Sequence, residues 1–206
     1  MKKVLTTPLS YEDIQDLRIG DVVYLTGKLV TGRDDVHHRV VHEGLECPVD
    51  FHGIGIMHAG PIIKEDPVEN HMISIGPTSS IRMEADAPEF IEKTGVRIQV
   101  GKGGMGPKTA EACKKFGAIH CVFPGGCAVV AACCVERIEN VFWRELGMPE
   151  ALWVMRVKEF GPLIVSIDTE GNNLFMDNKA YYASQLDACK APILDSVKNI
   201  MSVEAK

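Results

Sequence analysis

Between residues 96 and 138 the chain repeats one local pattern, and that pattern limits the fold more than any other feature. Residues 96–100 (VRIQV) alternate as a strand, residues 101–106 form a glycine-rich loop, and residues 107–116 open with proline in the first turn of a helix. Residues 118–123 then read as a second strand, Pro124-Gly125-Gly126 as a turn, and residues 127–138 as an apolar helix. Two successive units of this kind imply a parallel strand pair joined by a crossover helix, and so an α/β domain. Upstream, residues 10–17 predict a short helix with Ser10 as N-cap, residues 21–30 a strand, and residues 34–43 a helix that stops at Gly44. Residues 54–58 and 72–75 predict two short strands divided by a turn-rich stretch over 60–70, and residues 76–93 a loop running into one helix. Residues 152–160 and 163–167 predict late strands, followed by a turn over 168–173. No repeat or long linker divides the 206 residues, so the expectation is one mixed α/β domain over 1–206, with a loosely attached helical tail from about residue 178.

Composition narrows the function classes. Hydrophobic residues at 46% and charged residues at 24% are those of a folded domain and not of a disordered chain. With 22 basic against 28 acidic residues and a net charge of −6, no nucleic-acid partner is expected. No apolar run approaches the roughly 18 residues of a membrane span. Nor does an apolar stretch follow Lys2 and Lys3, so a soluble, cytoplasmic protein without a signal peptide is expected. The seven cysteines (Cys47, Cys113, Cys121, Cys127, Cys133, Cys134 and Cys189) are odd in number and form no C-x-x-C pair, which argues for reduced thiols and no metal site on this chain.

Three strand-to-helix junctions carry a cation. Gly101-Lys102-Gly103-Gly104-Met105-Gly106 satisfies G-x-G-x-x-G between a strand and a helix, but the acidic residue a dinucleotide fold places about 20 positions on is missing. What survives is a helix N-terminus able to bind an anion, with Lys102 beside it, or alternatively a tight turn with a solvated lysine. In Gly76–Glu84 three hydroxyl residues precede Arg82, more than one N-cap needs, and Thr78 lies four positions before Arg82, on the same helical face. Arg33 sits at the third junction, followed by His37, His38 and His42, where His38 and His42 have the spacing of a metal pair but also of ordinary helix packing. If these loops share a rim, Arg33, Arg82 and Lys102 suit a substrate with two carboxylates.

LTGKLVTGRD (25–34), HAGPI (58–62), GPTSSIRME (76–84), GKGGMGP (101–107), FPGGCA (123–128) and ELGMPEALW (145–153) together resemble the β subunits of L(+)-tartrate dehydratases. That family shares its domain with the C-terminal part of class I, iron–sulfur-dependent fumarases. The resemblance runs from Thr6 to Asn173, and GKGGMGP, FPGGCA and VKEFGPLIVSID (157–168) lie closer to the tartrate branch. It implies a swivelling β/β/α domain with a mixed sheet, docked in a heterotetramer on an α subunit that carries a [4Fe–4S] cluster. It also implies that Arg33, Arg82 and Lys102 bind substrate carboxylates and that Thr78 is the catalytic base. The implied reaction is a hydro-lyase step, L-tartrate to oxaloacetate plus water. Two alternatives stand beside it: a class I fumarate hydratase β subunit acting on malate and fumarate, and a non-catalytic anion-binding assembly subunit.

Overall fold

A computed structural model describes residues 3–204. The chain divides into two compact units, one up to Leu174 and one from Phe175. In the first, β1 (Lys3–Thr6) and β2 (Val22–Thr31) lead into α1 (Asp34–Val41), then β3 (Gly55–Met57), β4 (Ala59–Lys64) and β5 (His71–Pro77). A 3-10 turn at Ser80–Met83 precedes α2 (Ala87–Thr94), β6 (Ile98–Gly101), α3 (Pro107–Phe116) and β7 (Ile119–Val122). After a second 3-10 turn at Gly125–Cys127 come α4 (Ala128–Cys133), β8 (Val135–Phe142) and the long β9 (Leu152–Ile167). The other unit is occupied by α5 (Leu174–Glu204), which contains Pro192. No helix among the described residues is long and apolar enough to cross a membrane.

Seven strands form one mixed sheet in the order β1-β2-β3-β6-β7-β9-β8. An additional antiparallel pairing of β2 with β9 joins the sheet back on itself, so β2, β3, β6, β7 and β9 make a closed circuit. The period of two along each strand sends alternate residues to two cores. Leu29, Met57, Val100, Cys121 and Val157 pack into one core. Val30 and Ile56 beside them join Val154 and Ile167 in the other, with Val36 of α1, Phe90 of α2 and Cys113 of α3. This is the expected α/β class with a mixed sheet. The parallel β6–α3–β7 crossover is also present, with Pro107 in the first turn of α3 and Gly117 closing it at φ 69°.

Several local expectations are corrected. Residues 11–16 make only isolated turns and no helix, and the Asp13 carboxylate accepts the Ser10 N–H where a Ser10 side-chain cap was expected. So short a segment offers too few hydrogen bonds to offset helix nucleation. The stretch over 60–70 contains β4, which pairs antiparallel with β5. In a two-stranded sheet both strands are edges, so Pro61 costs no ladder bond on its outer side. The helix expected over 127–138 stops at Cys133, and Val135–Phe142 instead pairs with β9, where cross-strand pairing outweighs helical propensity. The helix expected to run on to Lys93 is split into the Ser80–Met83 turn and α2. The two late strands are one bent strand, and β1, unmarked in the sequence, pairs parallel with β2.

Candidate active site

Thr78 follows the last residue of β5, and its backbone is gripped from two sides. Its N–H donates to the His58 carbonyl at 2.6 Å, and its own carbonyl accepts the Lys102 N–H at 3.0 Å. Ser80 N–H then donates to the Lys102 carbonyl at 3.0 Å, so Ser79 and Lys102 form a parallel bridge between the two loops. The three hydroxyls diverge. Ser79 stands at the N-cap position of the 3-10 turn without capping it, while Thr78 Oγ1 accepts from Arg82 Nη1 at 3.3 Å. Ser80 Oγ faces His58 Nδ1 at 3.0 Å.

Arg82 also spans Asp34, donating from Nε to Oδ1 at 3.0 Å and from Nη2 to Oδ2. Asp34 is the first residue of α1, so this bidentate pair ties the 3-10 turn to the junction that carries Arg33. Arg33 Nη2 in turn meets Glu150 Oε1 at 3.0 Å, and Arg33 Nε lies 3.9 Å from Asp34 Oδ2. Burial pushes the Glu150 carboxyl up, and Arg33 acts against that shift. Lys102 makes no ion pair among the described residues, and its aliphatic stem lies close over Gly125. A Cβ at Gly60 would come within 2.7 Å of Arg33 Nη1, so the HAGPI glycine leaves room for that guanidinium. The structure thus links Arg33, Thr78 and Arg82 through side-chain contacts with Asp34 and Glu150, and joins Lys102 to Thr78 through the backbone.

The glycine loop differs from its expectation. Glu84 Oε1 accepts the N–H of Lys108 at 2.9 Å and of Thr109 at 3.3 Å. Glu84 Oε2 accepts Gly106 N–H at 2.7 Å and Thr109 Oγ1–H at 2.6 Å. The N-terminus of α3 is therefore capped by the chain's own carboxylate, where an anion-binding helix end was expected. Glu84→Ala is expected to destabilise the fold by about 1–2 kcal/mol in urea denaturation, the usual cost of a lost helix cap.

His38 and His42 each have their own carboxylate, Glu43 at 3.2 Å and Asp86 at 2.9 Å. All seven cysteines are free, and burial pushes the Cys113 and Cys121 thiols well up. Among the described residues no group of three or more His, Cys, Asp or Glu could hold a metal ion, so these residues do not fit an iron–sulfur cluster. Sequence reading missed Asp34 and Glu150, the carboxylates that orient the two arginines. Asp34 reads in sequence only as a favourable first-turn acid.

The family model described as "Fumarase C-terminus" matches residues 1–178. The chain is 57% identical over 200 residues to the L(+)-tartrate dehydratase subunit beta of Escherichia coli (strain K12), covering 97% of this chain and 100% of that protein. A protein of Methanocaldococcus jannaschii named for the same subunit is 41% identical over 84% of this chain and 92% of its own length. A protein of Geobacillus stearothermophilus assigned by name to the class I fumarate hydratases is 38% identical over 92% of this chain, which spans 36% of that longer protein. The chain belongs to the fumarase C-terminus family.

Proposed function

We propose that the chain is the β subunit of an L(+)-tartrate dehydratase, a cytoplasmic hydro-lyase that converts L-tartrate to oxaloacetate and water. In this reading residues 1–206 are a single fumarase-type domain with an appended tail. The chain works in a heterotetramer with an α subunit, and the [4Fe–4S] cluster belongs to that subunit. The observation that carries the reading is the contact of Arg82 with Thr78 Oγ1, inside a set that also holds Arg33 and Lys102. Arg33, Arg82 and Lys102 bind the two substrate carboxylates, with substrate taking over bonds that Asp34 and Glu150 now make. Thr78 Oγ1 takes the proton from the carbon next to one carboxylate. A threonine hydroxyl is a poor base in water, so its alkoxide must be stabilised, and the Arg82 guanidinium at 3.3 Å does this. The charge that develops on the neighbouring carboxylate is spread onto the cations that hold it. Loss of hydroxide from the adjacent carbon leaves an enol, the hydroxide takes the proton back from Thr78 and departs as water, and the enol becomes oxaloacetate by moving one proton from oxygen to carbon.

The second reading, a fumarate hydratase β subunit, is favoured by the 38% identity to the Geobacillus stearothermophilus protein. The two differ in one hydroxyl on the substrate. The assembled α and β subunits, assayed on L-tartrate, D-tartrate and L-malate, are expected to turn over L-tartrate with a kcat/KM roughly tenfold or more above the others. A higher kcat/KM on malate selects the fumarase reading. Turnover unaffected by removing this chain selects a non-catalytic subunit.

A further inference from the structure

His58 is none of the four positions above, yet it touches the loop that carries Thr78 and Arg82 and the strand end just before Lys102. Its N–H donates to the Val100 carbonyl at 2.8 Å, and its carbonyl accepts the Thr78 N–H at 2.6 Å. Its imidazole Nδ1 lies 3.0 Å from Ser80 Oγ, and both side chains are fully buried. A Cβ at Gly101 would overlap the Ser80 hydroxyl and come within 3.1 Å of His58 Nδ1. Ring, hydroxyl and the backbone immediately before Lys102 are therefore one packed contact. The other ring nitrogen, Nε2, is buried with no hydrogen-bond partner among the described residues. Burial holds the imidazole well below its usual titration range, with His37 and His120 acting in the same direction. A buried polar atom without a partner opposes folding. What this side chain supplies that a leucine of similar size could not is the bond to Ser80.

We infer that His58 is a positioning residue for the reaction, which through Ser80 fixes the turn that presents Thr78 and Arg82 against Lys102. The inference rests on the function proposed above. A displacement of about 1 Å in a reacting group can cost on the order of a hundredfold in rate, so a bond that fixes the turn acts on kcat.

The test uses the assembled pair of subunits with His58→Leu, His58→Asn, Ser80→Ala and the double variant His58→Leu/Ser80→Ala. His58→Leu and Ser80→Ala are each expected to lower kcat by roughly 10- to 100-fold while KM stays within about threefold. The double variant should be no worse than the single ones, since one bond is removed from either end. His58→Asn, whose amide reaches the place of Nδ1, should recover most of the loss. Amide hydrogen exchange, which needs no turnover, should quicken at residues 78–82 and 102 in His58→Leu and in Ser80→Ala. Wild-type kcat in His58→Leu, or losses that multiply in the double variant, overturns the inference. If His58→Leu does not fold, Ser80→Ala decides in the same two directions. If the wild-type pair turns over no tartrate, the proposed reaction fails by itself. Exchange then decides for His58: quickening confined to those amides supports the positioning role, and no change or a change spread over the whole chain overturns it.

Discussion

Between pH 6.5 and pH 4 the fold is expected to lose stability steeply, because it holds three imidazoles neutral in its interior. His37, His58 and His120 are fully buried, and burial is the main cause that lowers the pKa of each. Their rings neighbour one another, with centroids 5.2 Å apart for His37 and His58 and 6.3 Å apart for His58 and His120. None of the three Nε2 atoms has a hydrogen-bond partner among the described residues. For His120 the folded value is pushed down to about 3 from an ordinary 6.5. Below 6.5 the unfolded chain takes up a proton that the native chain refuses, so unfolding binds protons and stability falls as pH falls. For His120 alone the loss grows to on the order of 4 kcal/mol by the time pH reaches its folded pKa. His58 and His37 add in the same direction. Urea denaturation at pH 7.5, 6, 5 and 4.5 measures the slope. His120→Gln should flatten it by about 1.4 kcal/mol per pH unit between pH 6 and 4, one proton's worth. An unchanged slope in that variant means His120 titrates in the native state.

A second large effect separates proton removal from substrate grip. Thr78→Ala, assayed with the α subunit, should lower kcat by roughly 10²- to 10⁴-fold with little change in KM, because its interaction strengthens only in the transition state. Lys102→Ala should mainly raise KM, by on the order of 10- to 100-fold, the worth of one charged hydrogen bond to a carboxylate. The opposite split, with KM rising in Thr78→Ala and kcat falling in Lys102→Ala, would exchange their roles.

The parts of this molecule legible in sequence are those specified within a few residues. Pro107 starts α3 and Gly117 ends it, and the apolar alternation in VRIQV marks β6, so the β6–α3–β7 crossover can be read locally. The closure of β2 onto β9 joins positions more than a hundred residues apart, and no local pattern announces it. Val135–Phe142 shows the same limit from the other side. Its residues follow an apolar helix without a break, and only the free edge of β9 turns them into a strand. Of the candidate site, Arg33, Thr78, Arg82 and Lys102 stand out in the sequence because cations and hydroxyls at strand-to-helix junctions exceed what capping needs, and because the flanking motifs resemble a known family. Asp34 and Glu84 were not recognisable. One reads as a helix-favouring acid and the other as a surface residue, and their work lies in contacts to Arg82 and to the N-terminus of α3 that only the folded chain creates.

The most direct measurement follows the substrate C–H proton itself. Incubating the assembled subunits with L-tartrate in deuterium oxide, and reading deuterium in unreacted substrate by mass spectrometry, reports proton removal apart from loss of hydroxide. Measurable exchange is expected in the wild type and in Lys102→Ala at saturating tartrate, and a loss of exchange in Thr78→Ala as large as its loss of kcat. Exchange at the wild-type rate in Thr78→Ala would contradict that expectation and move the base to the α subunit.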